Sequence, residues 1–456
     1  MSSVQTNDIG QNINGKNIAT QEKSFREEET RQLFSYIQAG ESASIIGMSG
    51  TGKSNLFDHV CDPARQAEFF EVDSEHFIVL RINFHYAPDF TDRALYSLIL
   101  EQIEELDIDP TIIQEIANYH DALIEARDDV LKVQRLFKRA IRKIMADSKQ
   151  KLVFLFDQFD DVYRDADAHF FANLRGLRQA YKYRIVYLTF TRDLLPNIIP
   201  SDSGREEFYE LLSTNLMGLQ PYNEADATRL IQRIGKRNEI ALSKVTQEQM
   251  MQLCGGHAGL LRAVLMTLGR GGALPADKET AVSSLLHLSA VQLECEKIWR
   301  SLEGREQRLL HQLMGGVPIA KAEQHLVETL QIKGVLKELE MFSDLFASYA
   351  QSRDPVWERP LFFNKQSRQV WVLNELRPPL TKQEYPLFLL LYEHADELVT
   401  KDDLINAAWP DARGGVADEA LTAAMARLRR KIEPDPKNPR FFENVRSQGY
   451  ILHTEE

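Results

Sequence analysis

"IIGMSGTGKSNLF", residues 45–57, places three glycines, hydroxyl side chains and a lysine directly after a short apolar run. Gly47, Gly50 and Gly52 with Lys53 and Ser54 satisfy the spacing G-x-x-x-x-G-K-[ST]. The flanks agree, because Ser44-Ile45-Ile46 reads as the end of a strand and Asn55-Leu56-Phe57 as the opening of a helix. Glycines let the backbone curl so that successive N–H groups point inward at phosphate oxygens, and the new helix adds the positive end of its dipole. The candidate cradle is Gly47, Met48, Ser49, Gly50, Thr51, Gly52, Lys53, Ser54 and Asn55. Lys53 would bridge the outer phosphates and Ser54 would ligate magnesium, so the stretch predicts a bound nucleoside triphosphate.

Outward from the loop, apolar strands alternate with helices. "HFIVLRINF" (76–84), "KLVFLFDQFDDV" (151–162) and "YRIVYLTFTRDLL" (183–195) read as strands. "TDRALYSLILEQIEEL" (91–106) and a stretch around 128–146 read as amphipathic helices, and Leu33, Phe34 and Ile37 lie at helical spacing before the loop. This alternation predicts a parallel sheet covered on both faces. From about residue 217 the strands stop, and short helices are interrupted at Gly255-Gly256 and Gly269. Asp354-Pro355 and Pro360 mark a linker, after which short strands return in "LFFNKQSRQVWVLN".

In "KLVFLFDQFDDV", Asp157 ends a buried strand at the edge where ligands of parallel sheets collect, opposite Ser54. A carboxylate there can hold magnesium directly or through water. The next residue is Gln158, which can position a water but cannot take its proton. Asp160 or Asp161 is the better candidate base, with a solvated loop and a helix N-cap as the alternative for Asp161. At the following strand end, Arg192 could sense the terminal phosphate and Thr191 could orient water, or Arg192 is simply solvated.

Phe25-Arg26-Glu27-Glu28-Glu29, the Gly47–Ser54 loop, Asp157-x-Phe159-Asp160-Asp161, Thr191-Arg192 and Gly255-Gly256-His257-Ala258-Gly259 together resemble, in order, the STAND branch of the AAA+ ATPases, over roughly residues 22–350. The resemblance implies ATP/ADP with Mg2+, slow hydrolysis, a possible homo-oligomer, and nucleotide contacts from Arg26 and from the helical lid at His257. Ala258 stands where that family has proline, and no arginine finger or second sensor is named. Residues 290–350 resemble the small winged-helix element that often follows such a lid.

The chain has 456 residues, 43% hydrophobic and 27% charged, as in ordinary globular proteins, and its length predicts two to four domains. No apolar run reaches the roughly 18 residues of a membrane span. The polar start "MSSVQTNDIGQNINGKN" lacks an apolar core, so a cytoplasmic protein without membrane contact is expected. Cys61, Cys254 and Cys295 lie far apart and suggest neither a disulfide framework nor a zinc site. The net charge is −13; from Arg359 onward 14 Lys/Arg stand against 15 Asp/Glu, a net of −1, which leaves −12 on residues 1–358. A nearly neutral tail can still bind DNA if its cations share one face.

They do share one. Leu421, Met425, Leu428 and Ile432 form a helical stripe, and the opposite side carries Glu419, Ala423, Ala426, Arg427 and Arg430, with Arg429 and Lys431 on the flanks and Thr422 a further candidate contact. Small residues and arginines can meet base edges while flanking cations meet phosphates. A hairpin over 441–452 presents Arg446. An ordinary amphipathic helix with a solvated basic face is the alternative. Leu380-Thr381-x-x-Glu384, Leu404 to Trp409, Leu428-Arg429-x-Lys431 and Gly449-Tyr450 resemble the winged-helix DNA-binding domain of OmpR-type response regulators, over about 359–454. The resemblance makes 418–432 the recognition helix and 440–452 the wing, with Ser447 where the family usually has glycine.

The expected fold is thus multidomain α/β plus α. It comprises a disordered start (1–22), a P-loop ATPase domain (23–216), a helical lid (217–289), a helical or winged-helix element (290–353) and the OmpR-type domain (359–456). The expected function is an ATP-dependent switch on a sequence-specific reader of double-stranded DNA, a transcriptional regulator that works with RNA polymerase or a signal protein. The alternatives are a DNA-associated ATPase like an initiator or transposition loader, and a STAND-type defence sensor that oligomerises on a ligand.

Overall fold

A computed structural model describes residues 25–70, 77–126, 129–147, 150–199, 203–269, 274–353, 361–365, 368–372, 375–410, 418–436, 438–446 and 448–454. The start expected to be disordered (1–22), the linker prolines Pro355 and Pro360, and Ser447 lie outside the described residues.

Five strands, β1 (Ala43–Ile46), β2 (Phe77–Asn83), β3 (Lys151–Asp157), β4 (Ile185–Thr191) and β5 (Leu216–Gly218), form one parallel sheet in the order β2-β3-β4-β1-β5. Its register sets Ile46 beside Thr191 and Asn83 beside Asp157, so the loops after β1, β3 and β4 leave from one edge. The central strands are buried on both faces: Leu152 through Phe156 are each 0% exposed. Val153 and Leu155 pack with Leu33, Phe34, Ile37, Leu56 and Phe57 on one side. Phe154 and Phe156 turn the other way into an aromatic layer with Tyr187 and Phe159. Alternating direction with continuous apolar identity is what two helix layers demand of a strand.

After β5 come the helices Glu224–Arg237, Lys244–Cys254, Ala258–Leu268, Lys278–Leu286 and Ser289–Arg300. The helix Gln324–Ile332, a two-residue hairpin (Leu336–Lys337 with Glu340–Met341) and the helix Asp344–Gln351 follow. Cys254 and Cys295 are buried thiols and Cys61 is half-buried.

The chain divides into two units. The first holds the sheet, residues 201–298 and residues 329–349; the second holds 196–200, 299–328 and 350–456. In the second unit, strands Leu361–Asn364, Gln369–Val372 and Glu375–Leu376 form one antiparallel sheet. Helices Glu384–Glu393, Lys401–Ala408 and Asp418–Ile432 follow, and Val399–Thr400 pairs with the hairpin Phe442–Val445/Gly449–Leu452. Leu387, Phe388, Leu421, Leu428, Ile432 and Tyr450 share its core.

Candidate functional site

The loop after β1 curls as its glycines permit. Gly50 and Gly52 adopt φ of +80° and +96°. A Cβ at Gly50 would sit 2.6 Å from the His257 ring, and one at Gly52 2.4 Å from the Tyr222 hydroxyl, so no larger residue fits either position. The helix Lys53–Cys61 starts at once. Among the described residues, the N–H groups of Ser49, Gly50, Gly52, Lys53 and Ser54 have no protein acceptor. Orphan donors at a curled loop and a helix N-terminus form an anion cradle.

The loop's carbonyls are occupied, each from a different part of the first unit. Arg26 donates to Thr51 O at 2.9 Å, His257 Nε2 to Ser49 O at 2.8 Å, and Gly259 N–H to Gly50 O at 3.1 Å. Lys53 Nζ donates to Met48 O at 3.0 Å and also to Gly47 O. The N–H of Met48 is given to Lys333 O at 3.0 Å, and that of Gly47 to Thr191 O at 3.2 Å. Burial lowers the Lys53 ammonium to about 8, against the opposing pull of Asp160.

A cavity of about 580 Å³ opens beside the loop. It is lined by Ser49, Gly50, Gly52, Lys53, Ser54 and Asn55, by Gln158 and Arg192, by Ala258, Gly259, Arg262, Ala263, Met266 and Thr267 of one helix, and by Ala290, Leu293 and Glu294 of another. Residues 259, 262, 263, 266 and 267 follow the i, i+3, i+4, i+7, i+8 rule for a single helix face.

At the β3 end, Asp157 Oδ2 accepts from Ser54 Oγ at 3.3 Å and Oδ1 from the Gln158 N–H at 2.9 Å. Burial raises the pKa of the Asp157 carboxyl. Gln158 has φ +56° and caps the helix Phe159–Asp165. The two aspartates expected as bases are held elsewhere. Asp160 is buried and accepts the Arg192 N–H at 2.8 Å, with the Arg192 Nε at 3.6 Å; Asp161 pairs with Arg164 at 2.8 Å. Neither lines the cavity. Thr191 is buried and donates to Asp193 O at 2.8 Å, so its hydroxyl proton is committed to the chain rather than to water.

Arg26 also departs from expectation. It is 1% exposed, it does not line the cavity, and its guanidinium is spent on Glu29, Thr51 O and Gln220 O while stacking 4.5 Å over Tyr222. It clasps the phosphate loop to the segment before the helix Glu224–Arg237. His257 is likewise fully buried behind the loop. Sequence reasoning named neither Arg262 nor Glu294, Tyr222 or Lys333. Arg262 was within reach, being five residues after His257 on a helix whose face points at the cavity; Tyr222 and Lys333 act on partners more than a hundred residues away, and Glu294 joins the cavity from a separate helix.

In the second unit, Thr422, Ala423, Ala426, Arg427 and Arg430 are exposed on the helix Asp418–Ile432, and Arg446 is exposed beyond the strand Phe442–Val445. Arg429 is half-buried. Lys431 is drawn inward: it donates to Pro379 O at 2.8 Å and to the buried Glu384 carboxylate at 2.6 Å, so its charge is neutralised inside the unit. The expectation of a phosphate contact from Lys431 gives way to a structural ion pair.

Residues 24–187 match the family model described as the AAA ATPase domain, and residues 375–452 match that of the transcriptional regulatory protein, C terminal. The chain therefore joins an AAA ATPase domain to an OmpR-type winged-helix DNA-binding domain. PetR of Rhodobacter capsulatus is 39% identical over 77 residues, which are 16% of this chain and 32% of PetR, so this chain spans about a third of that curated relative. The RstA DNA-binding domain of Klebsiella pneumoniae, solved in complex with the RstA box, is 25% identical over 21% of this chain and 91% of its own, with a TM-score of 0.18. A Walker-type ATPase of Pyrococcus abyssi is 12% identical over 72% of this chain and 95% of its own, with a TM-score of 0.43. Among the described residues no helix is long and apolar enough to cross a membrane.

Proposed function

We propose that this protein is a nucleotide-operated transcriptional regulator, in which a STAND-like ATPase domain sets how the OmpR-type domain engages double-stranded DNA. The single observation that carries the reading is the bond from the Met48 N–H to Lys333 O. Lys333 lies in residues 329–349, and both ends of that stretch run straight into the DNA-reading unit, at Glu328/Thr329 and Tyr349/Ala350. Lys333 is also 1% exposed and paired through Nζ with Asp193, next to Arg192 of the cavity wall, at 2.5 Å. A change in the phosphate loop would thus pass through one hydrogen bond and then along the chain into the second unit.

The residues fit ATP or ADP with Mg2+. The orphan N–H groups and Lys53 would receive the phosphates, Ser54 and Asp157 would hold the metal, and Arg192 and Arg262, which both line the cavity, would offset the charge. Bound ATP supplies the phosphoanhydride that hydrolysis would cleave; this chain's part is to bind it, order it and exclude water. With Gln158 in the water-positioning place and Asp160 and Asp161 tied to arginines, turnover is slow and the nucleotide is retained. The domain limits that go with this reading are 23–216, 217–289, 290–353 and 359–456. A homo-oligomer on repeated sites, and contact with RNA polymerase or a signal protein, would complete it in the cytoplasm.

Genome-wide DNA capture with the wild type and Lys53→Ala tests it. Sites that change occupancy with Lys53→Ala support the switch; identical occupancy by the two proteins, in cells where the wild type carries nucleotide, would end it.

A further inference from the structure

The helix Val130–Asp147 carries six Lys/Arg and one Asp, on a chain whose net charge is −13. Its inner face, with Val133, Leu136, Phe137, Ala140, Ile141 and Ile144, is buried. Lys132, Arg135, Lys138, Arg139 and Arg142 are all exposed. At 100° and 1.5 Å per residue these five occupy a stripe roughly 120° wide and about 15 Å long. The sixth cation, Lys143, is paired with Glu115 at 3.0 Å. Among the described residues none of the five has a carboxylate partner.

Such a stripe works against the helix that bears it. Like charges three and four residues apart repel, as in Arg135/Lys138, Arg135/Arg139 and Lys138/Arg142. Lys132 stands in the first turn, at the positive end of the helix dipole. A solvated face needs no such arrangement, since interspersed signs keep a surface soluble without repulsion. An anionic partner relieves every one of these terms.

We propose that this face is a second, sequence-independent contact for duplex DNA, taking phosphate oxygens alongside the OmpR-type domain. The same chain already holds an OmpR-type DNA-binding domain, so duplex DNA is a polyanion that this protein meets. Three of the five cations are arginines, whose planar fork matches phosphate geometry. A membrane surface is a poorer match, because an interfacial helix inserts its apolar face and here that face is in the core. None of the five lines the nucleotide cavity, so this contact is separable from nucleotide control.

The test uses full-length protein with Arg135→Gln, Lys138→Gln, Arg139→Gln and Arg142→Gln combined, and a labelled 40-base-pair duplex of mixed sequence, titrated over a salt series with saturating ADP throughout. Each phosphate contact contributes about −0.9 to the slope of log affinity against log salt, so loss of four should make the slope shallower by roughly 3 to 4. Unaltered binding of a fluorescent ADP analogue by the variant shows that the first unit is folded. A slope and affinity equal to the wild type's would overturn the proposal. So would an unchanged DNA slope accompanied by lost binding to polyglutamate, which would mark the stripe as a site for an acidic protein.

Discussion

The Nε2–H of His257 donates to the carbonyl oxygen of Ser49 at 2.8 Å, while Nδ1 of the same ring accepts the Leu260 N–H at 3.2 Å. The N-cap of the helix Ala258–Leu268 is thereby the clamp on the phosphate loop, and the second bond fixes which ring nitrogen carries the proton. Burial lowers His257 to about 4, so the clamp is neutral across the physiological range.

Acid should therefore weaken this clamp. An unfolded histidine binds its proton near 6.5 and folded His257 only near 4, so below 6.5 the unfolded chain gains protons that the folded one refuses. Stability from this group is complete above 6.5 and declines as pH falls towards 4, by roughly 3 kcal/mol over that window. Urea denaturation of the wild type and His257→Asn at pH 7 and pH 4.5 checks it: the gap between the two proteins should narrow on acidification. A constant gap would show that His257 titrates normally.

Nucleotide affinity should carry the signature of Lys53. In the nucleotide-free protein its ammonium titrates at about 8; phosphates would hold the proton on, so binding takes up a proton above that pH. Affinity is expected to be flat from pH 6 to 7.5 and to fall towards tenfold per unit above 8. Lys53→Gln should remove that dependence and lower affinity about 10- to 150-fold, the worth of a charged hydrogen bond. Calorimetry in two buffers of different ionisation enthalpy reads the proton uptake directly.

Gln158→Glu should accelerate hydrolysis by 10-fold or more, because it supplies the proton acceptor that Asp160 and Asp161, held by Arg192 and Arg164, do not. General-base catalysis contributes about 10²–10⁴ where the base is well placed. Phosphate release under single-turnover conditions is the measurement. An unchanged rate would mean that the base lies elsewhere or that another step limits turnover.

Two neighbouring cations on the helix Asp418–Ile432 should fail differently. Arg430→Ala is expected to lower discrimination between DNA sequences by about 1–3 kcal/mol with little change in stability. Lys431→Ala leaves the Glu384 carboxylate, 1% exposed, without its cation and should destabilise the second unit by about 3–5 kcal/mol. Competition binding and hydrogen exchange on each variant separate the two effects.

The sequence was most legible where function is local. The phosphate loop, the strand that ends at Asp157 and the helix Asp418–Ile432 each lie on a contiguous stretch whose spacing already implies a geometry. Illegible were the roles decided by distant partners. Arg26 looks like a nucleotide contact until Thr51, Gln220 and Tyr222 are folded around it. Asp160 follows the right strand, yet the N–H of Arg192, 32 residues on, claims it; Thr191 is the local exception, its hydroxyl turned back on Asp193 O. Lys431 obeys the helical period of a DNA-facing flank, but Glu384, 47 residues earlier in the chain, turns it inward. Periodicity says which side of a helix a residue occupies, not who waits there.

Past the end of the helix Asp418–Ile432, the buried carboxylate of Glu433 receives the N–H groups of Arg440, Phe441 and Phe442 at 2.8, 2.9 and 2.7 Å. One side chain thus welds the helix terminus to the first strand of the hairpin that carries Arg446. Helix and hairpin work as the two jaws of a fixed caliper, with a span set by the protein. If helix and hairpin both meet DNA as proposed, a duplex whose grooves are spaced otherwise must bend to the caliper or surrender one jaw, and local DNA stiffness becomes part of what this tail selects.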